Sequence, residues 1–94
     1  MAMSDTRWAV SLRGSAQREL DQLDDSVRYV AIEAIIGLED DPFPFGSILL
    51  RGYTNLYRLK FYGDQFRLVY TVSEKQRRII VERVRSRSTA YLGL

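Results

Sequence analysis

Between Leu56 and Val72 the chain reads LYRLKFYGDQFRLVYTV, with apolar side chains at every second residue on both sides of Gly63-Asp64. That period fits a β-hairpin and not an amphipathic helix. A turn centred on Gly63 and Asp64 pairs Phe61 with Phe66, Leu59 with Leu68 and Tyr57 with Tyr70, so one face is a ladder of large apolar groups. On the other face the same register sets Lys60 opposite Arg67 and Arg58 opposite Val69. Like charges directly opposite on paired strands are destabilising. A face that accepts this repulsion is suited to an anionic ligand.

With 94 residues, the chain can bury one core, and residues 1–94 are read as a single domain. The sequence has no Cys and no His, which excludes disulfides, thiolate chemistry, Ser-His-Asp triads, paired-His ribonuclease chemistry and His-liganded zinc. Any acid or base must be Lys, Arg, Tyr, Asp or Glu, and no metal or small-molecule cofactor is expected. Residues 1–50 carry four Arg against nine acidic residues, whereas residues 51–94 carry ten Lys or Arg against three acidic residues. Such asymmetry suggests a basic nucleic-acid site in the second half, a solvated basic surface being the plainer alternative. No apolar run has the length of a membrane span and the N-terminal stretch lacks a leader pattern, so a cytoplasmic protein with no membrane partner is expected.

Trp8, Val10 and Leu12 alternate on one face of a first strand, which places Trp8 in the core. Gly14-Ser15 breaks that strand, and Ser15 is the expected N-cap of a short helix carrying Ala16, Leu20 and Leu23. Asp24-Asp25-Ser26 offers a second cap, and Val27, Val30, Ala31, Ala34, Ile35 and Leu38 mark an amphipathic helix that doubles back on the first. A second stripe on it, Tyr29, Ile32 and Ile36, is expected to pack on the first helix, with exposure to a partner as the alternative. Pro42 stops the helix, and residues 47–52 read as a connecting loop anchored by Phe43 and Phe45. Residues 78–85 form the last strand, whose Ile79-Ile80-Val81 run suits a central position covered on both faces. A brief helical turn capped at Ser88 is expected in the tail.

The order strand, helix, helix, three strands, together with SAQRELDQL, DPFPFGSILLRG, YRLKFYGDQFRLVYTV and IIVERVRSRSTAY, resembles the RelE/ParE superfamily of bacterial toxins over nearly the whole chain. The resemblance implies an α+β fold, β-α-α-β-β-β, with a helical hairpin on one face of a four-stranded sheet and a short C-terminal helical turn. In that superfamily the RelE branch cleaves messenger RNA in the ribosomal A site, and the ParE branch poisons DNA gyrase. By position in the matching motifs, Arg58, Lys60, Arg67, Arg85 and Tyr91 fill the places of the RelE-type site. Arg58 departs from the Lys often found there. The implied partners are a cognate antitoxin and the ribosome with messenger RNA in its A site.

The residues themselves suit phosphodiester cleavage by a neighbouring 2′-hydroxyl, which needs a base, charge stabilisation at phosphorus and help for the leaving oxygen. Lys60, flanked by Arg58 and facing Arg67, has like charges that favour loss of its proton and is the candidate base. Arg67 and Arg58 would grip the phosphate, Arg85 would stabilise the leaving oxygen, and Tyr91 would stack on a base or orient the nucleophile. Arg77, Arg78, Arg83 and Arg87 are candidate RNA contacts, and Tyr29, Ile32 and Ile36 the candidate antitoxin contact. The leading expectation is a ribosome-dependent messenger RNA endonuclease; the alternatives are a ParE-like gyrase inhibitor and a non-catalytic RNA-binding module.

Overall fold

The computed structural model describes residues 7–94, so the first six residues of the expected domain, with most of the stretch read for a leader, lie outside it. The elements run β1 (Ala9–Leu12), α1 (Gly14–Asp21), α2 (Asp25–Gly37), β2 (Ile48–Leu49), β3 (Leu56–Phe61), β4 (Phe66–Ser73) and β5 (Arg78–Ser86). Among the described residues the strands form one sheet in the order β1-β5-β4-β3-β2. Neighbours are antiparallel except β1 and β5, whose parallel pairing sets the first strand beside the last.

The expected hairpin register is the observed one: Tyr57 faces Tyr70, Arg58 faces Val69, Leu59 faces Leu68, Lys60 faces Arg67 and Phe61 faces Phe66. Tyr62 and Gly63 both take left-handed backbone angles, φ 56° and 65°, which lets residues 62–65 reverse the chain within the right-handed twist of the strands. The apolar ladder then points at the helices. Leu59, Phe61, Leu68, Tyr70 and Val72 join Ala16, Leu20, Val27, Ala31, Ile35 and Leu38 in one core, and Trp8, Val10 and Leu12 pack against its rim.

β5 is central, between β1 and β4, as its composition suggested. Ile79 and Val81 face the core while Ile80, of the other parity, is half-buried on the opposite face, and a bulge follows the run. Val69 pairs with Arg83 and Tyr70 with Val81, so Glu82 is the extra residue of a β-bulge. The bulge returns Val84, Val81 and Ile79 to the same core despite the break in alternation.

Several local expectations are corrected. Ile48–Leu49 is not loop but a two-residue edge strand paired with Arg58 and Tyr57, so the sheet has five strands rather than four. The cap of α1 is Arg13 rather than Ser15, and Leu23 lies in the link between helices. Phe43 does anchor its loop, with its ring centroid 5.0 Å from that of Tyr57, but Phe45 is fully exposed. Tyr29, Ile32 and Ile36 do not pack on α1: they are 64%, 40% and 55% exposed. The tail forms consecutive turns closed by bonds from Thr89 N–H to Ser86 O, Leu92 N–H to Thr89 O and Leu94 N–H to Tyr91 O rather than a capped helix. Ser86, not Ser88, is the hub there, its hydroxyl lying 3.1 Å from that of Ser88 and 3.2 Å from that of Thr89. No helix among the described residues is long and apolar enough to cross a membrane.

Tyr70 ties the two layers to the loop after α2. Its side chain is fully buried, and its hydroxyl donates to Pro42 O at 2.9 Å. Burial pushes its phenol up to about 12, above the ordinary tyrosine value. A raised folded-state value means that Tyr70 contributes stability that is complete below about pH 10 and is lost as pH rises towards about 12. Tyr70→Phe is therefore expected to cost about 1 kcal/mol at neutral pH, from the orphaned Pro42 carbonyl. Urea titrations at pH 8 and at about pH 11 should show the wild-type advantage shrinking in alkali, because only the wild type ionises at this position.

Candidate active site

The face of the sheet away from the helices carries the cations. Lys60, Arg67 and Arg85 occupy adjacent positions on β3, β4 and β5, forming one row across three strands. Arg58, Val69 and Arg83 form the next row. With strands about 4.8 Å apart, Lys60 and Arg85 are about 10 Å apart at the backbone, a span that long side chains can close upon one phosphodiester.

None of these cations stands alone. Arg67 is 8% exposed; its Nη1 donates to Asp64 O at 2.9 Å and its Nη2 to Asp64 Oδ1 at 3.1 Å. Lys60 Nζ lies 3.1 Å from the same Oδ1, and Arg87 Nη1 donates to Asp64 Oδ2 at 2.8 Å. One carboxylate thus takes three cations. The hydrogen bond and charge of Lys60, then the charge of Arg67 and the bond from Arg87, hold the Asp64 carboxyl below the usual carboxylate range against the opposing effect of desolvation. Lys60 thus has a carboxylate beside it as well as the cations expected from the register. Arg67 Nε, also buried, has no hydrogen-bond partner among the described residues.

Arg85 is held from the other side. Beyond Val81, β5 has no partner from β1, and the Val84 N–H on this open edge donates to Glu19 Oε1 at 2.9 Å. Glu19 Oε2 accepts from Arg85 Nε at 2.6 Å, while Arg85 Nη1 reaches Thr89 O at 3.4 Å. One carboxylate from α1 therefore closes a sheet edge and orients a cation.

The remaining residues divide clearly. Arg58 Nη1 donates to Gly46 O at 3.2 Å. Arg83 is engaged by the tail, through Ala90 O at 3.1 Å and Leu92 O. Ala90 is buried with Leu56 and Val69, so the tail crosses the cationic face and brings the backbone at Tyr91 to it. Arg77 and Arg78 sit at the opposite end of β5; Arg77 covers the Trp8 ring at 4.6 Å, and Arg78 is seven positions along the strand from Arg85, roughly 23 Å. A cleft of about 350 Å³ beside the row is lined by Arg13, Glu82, Arg83, Arg85 and the tail residue Leu94, among others. No group of three or more metal-ligating side chains gathers among the described residues.

Sequence reasoning missed Asp64 and Glu19. Asp64 stands in the sequence as a turn former, but its place four residues after Lys60 and three before Arg67 is a signal for pairing with both. Glu19 carried no such signal, because 66 residues separate it from Arg85.

The sequence matches no family model and no curated protein. Solved structures match it in shape. A chain of the archaeal RelE–RelB complex from Pyrococcus horikoshii OT3 superposes with a TM-score of 0.74 at 24% identity, covering 90% of this chain and 100% of that one. The fold is that of the RelE toxins. The isolated E. coli RelE toxin gives a TM-score of 0.73 at 23% identity over 84% of this chain and 83% of its own. A chain of the RelBE2 toxin-antitoxin complex from Mycobacterium tuberculosis gives 0.73 at 22% identity over 87% and 100%. Strand order and layering account for the likeness to RelE, since identity is low throughout.

Glu19 is the residue on which this geometry can be tested without any substrate. Glu19→Ala is expected to lower the unfolding free energy by about 1–3 kcal/mol, because the Val84 N–H and the Arg85 guanidinium both lose their acceptor. Glu19→Gln, which keeps an acceptor for Val84, should cost less. Urea denaturation of the three proteins checks the order.

Proposed function

We propose that this protein is the toxin of a type II toxin-antitoxin pair and a metal-independent messenger RNA endonuclease that works on the ribosome. The observation that carries the reading is the row Lys60, Arg67, Arg85 across three adjacent strands, with Arg58 and Arg87 beside it, on the face that the helices leave open. The RelE fold supports it, as does the presence of RelE toxins in complexes named as toxin-antitoxin pairs among the matching structures.

In this mechanism the 2′-oxygen of the RNA attacks the adjacent phosphorus and the bond from phosphorus to the 5′-oxygen breaks, leaving a 2′,3′-cyclic phosphate and a 5′-hydroxyl. Lys60, once its ammonium has released a proton to solvent, takes the proton from the 2′-hydroxyl as the neutral amine. Arg67 and Arg58 hold the non-bridging oxygens and stabilise the added negative charge of the phosphorane, for which planar guanidinium forks are suited. Arg85 stabilises charge on the departing 5′-oxygen, which takes its proton from solvent; an arginine gives up a proton too reluctantly to serve as the acid. Tyr91, exposed on the tail that crosses this face, offers a stacking surface for a base. Arg78 and Arg77 at the far end of β5, with Arg83 and Arg87 nearer the row, extend the basic surface for ribosomal RNA. A site with no histidine leans on the ribosome to place the 2′-oxygen in line, since orientation supplies a large part of the barrier reduction.

Primer extension on messenger RNA in a reconstituted bacterial translation reaction tests the reading. Cuts inside A-site codons should require ribosomes, and Arg67→Ala or Arg85→Ala should reduce them by about 100-fold or more, with the fold intact by circular dichroism. Intact RNA in the presence of a folded, toxic protein, with DNA breaks at gyrase sites instead, would reject it in favour of gyrase inhibition. The exposed stripe Tyr29, Ile32 and Ile36 on α2 is the proposed antitoxin contact. Ile32→Glu is expected to weaken co-purification with the antitoxin at least tenfold while leaving the free toxin folded; unchanged binding would place the contact elsewhere.

A further inference from the structure

Two carboxylates touch the row, Glu19 at Arg85 and Asp64 at Lys60 and Arg67, and the placement of Asp64 is the more informative. The carboxylate lies at the tip of the hairpin turn and takes Lys60 and Arg67 on Oδ1 and Arg87 on Oδ2. Two oxygens collecting three cations is the arrangement that a phosphate would take in the same place. Asp64 also occupies both terminal nitrogens of Arg67, through its main-chain and side-chain oxygens, and Arg67 is 8% exposed. The buried Arg67 Nε–H meanwhile lacks an acceptor. A buried donor left unmade is costly, so the cluster is one acceptor short of satisfaction even with Asp64 in place. Asp64 itself is half-exposed, on a four-residue turn rather than within the strands, so it can swing outward without disturbing the ladder register.

From this we infer that Asp64 is a built-in counterion which occupies the phosphate position of the cationic row, and that an RNA phosphate binds by displacing it. The inference rests on the endonuclease reading for the identity of the anion. Its physical logic is independent of it. Without a carboxylate among them, Lys60, Arg67 and Arg87 would repel one another in the free protein. With it they are held together in the geometry needed for an oxyanion. The arrangement has a cost in affinity, because every phosphate must compete with a carboxylate already in place. Contacts flanking the scissile phosphate then decide which RNA can displace it, and a strand held on the ribosome has more of them than a free oligonucleotide.

The test is anion binding, not cleavage. A fluorescent hexaribonucleotide with 2′-O-methyl groups throughout, which has no free 2′-hydroxyl to attack, is titrated with the full-length protein in fixed salt and followed by anisotropy. Asp64→Asn is expected to tighten binding by roughly tenfold, and Asp64→Ser, which removes the charge with a smaller side chain, by a similar factor. Asp40→Asn makes the same change of charge at an exposed position after α2, outside the cationic row, and should change binding less than twofold. Adding Arg67→Ala to Asp64→Asn should abolish the gain. If both Asp64 variants fold and bind no more tightly than Asp40→Asn, the counterion role is wrong, while the endonuclease reading stands on the primer-extension result. If neither the wild type nor any variant binds the oligonucleotide, the row is not a phosphate site, and the inference falls with the reading beneath it.

Discussion

The alternation of β4 is the constraint on which the rest depends. Phe66, Leu68, Tyr70 and Val72 point to the helices, so Arg67 and Val69 must point away, and β3 repeats the pattern with Leu59 and Phe61 against Arg58 and Lys60. A slip of one residue would carry arginine and lysine into the core and the aromatic ladder into water. Desolvating those cations costs several kcal/mol each, so the apolar ladder and the basic row enforce the same register. The hydrophobic core and the candidate site are therefore two consequences of one period.

Bringing the row together has an electrostatic cost that the fold meets with two carboxylates. Asp64 answers Lys60, Arg67 and Arg87 from the turn, and Glu19 answers Arg85 from α1 while closing the open edge of β5. Both act within hydrogen-bond distance, where charge-assisted bonds are strongest. They differ in what they prevent: Glu19 satisfies a backbone donor that has no strand beside it, whereas Asp64 sits at an exposed turn where water could have done the same. The first belongs to folding, and the second is the more readily exchanged for another anion.

The bulge at Glu82 is the device that connects the two ends of β5. It allows the first part of the strand to pair in parallel with β1 and face the core through Ile79 and Val81, while the last part faces the core through Val84 and turns Arg83 and Arg85 outward. Glu82 itself then reaches Arg13 at 2.8 Å and the hydroxyl of Thr71. The tail uses the same outward face, with Ala90 buried on Val69 and Leu56 and with Arg83 holding its carbonyl oxygens.

Periodicity alone determined the hairpin with its register, the amphipathic second helix, the central place of the last strand and the set of cations that share a face. These are local quantities: period two or 3.6, and the parity of a few side chains about a turn. The likeness of motif order to the RelE/ParE toxins also carries the α+β layering. What only the tertiary structure decided was each matter of who meets whom across a distance. The edge strand Ile48–Leu49 exists because Arg58 and Tyr57 lie beside it, and the parity switch in β5 needs β4 as a reference. The exposure of Tyr29, Ile32 and Ile36 follows from where α1 comes to rest. The pairing of Glu19 with Arg85 joins residues 66 positions apart, and that of Asp64 with Arg87 joins residues 23 apart. No local period reports such contacts, because the charge of a side chain is written in the sequence but its neighbours are set by the packing of the whole chain.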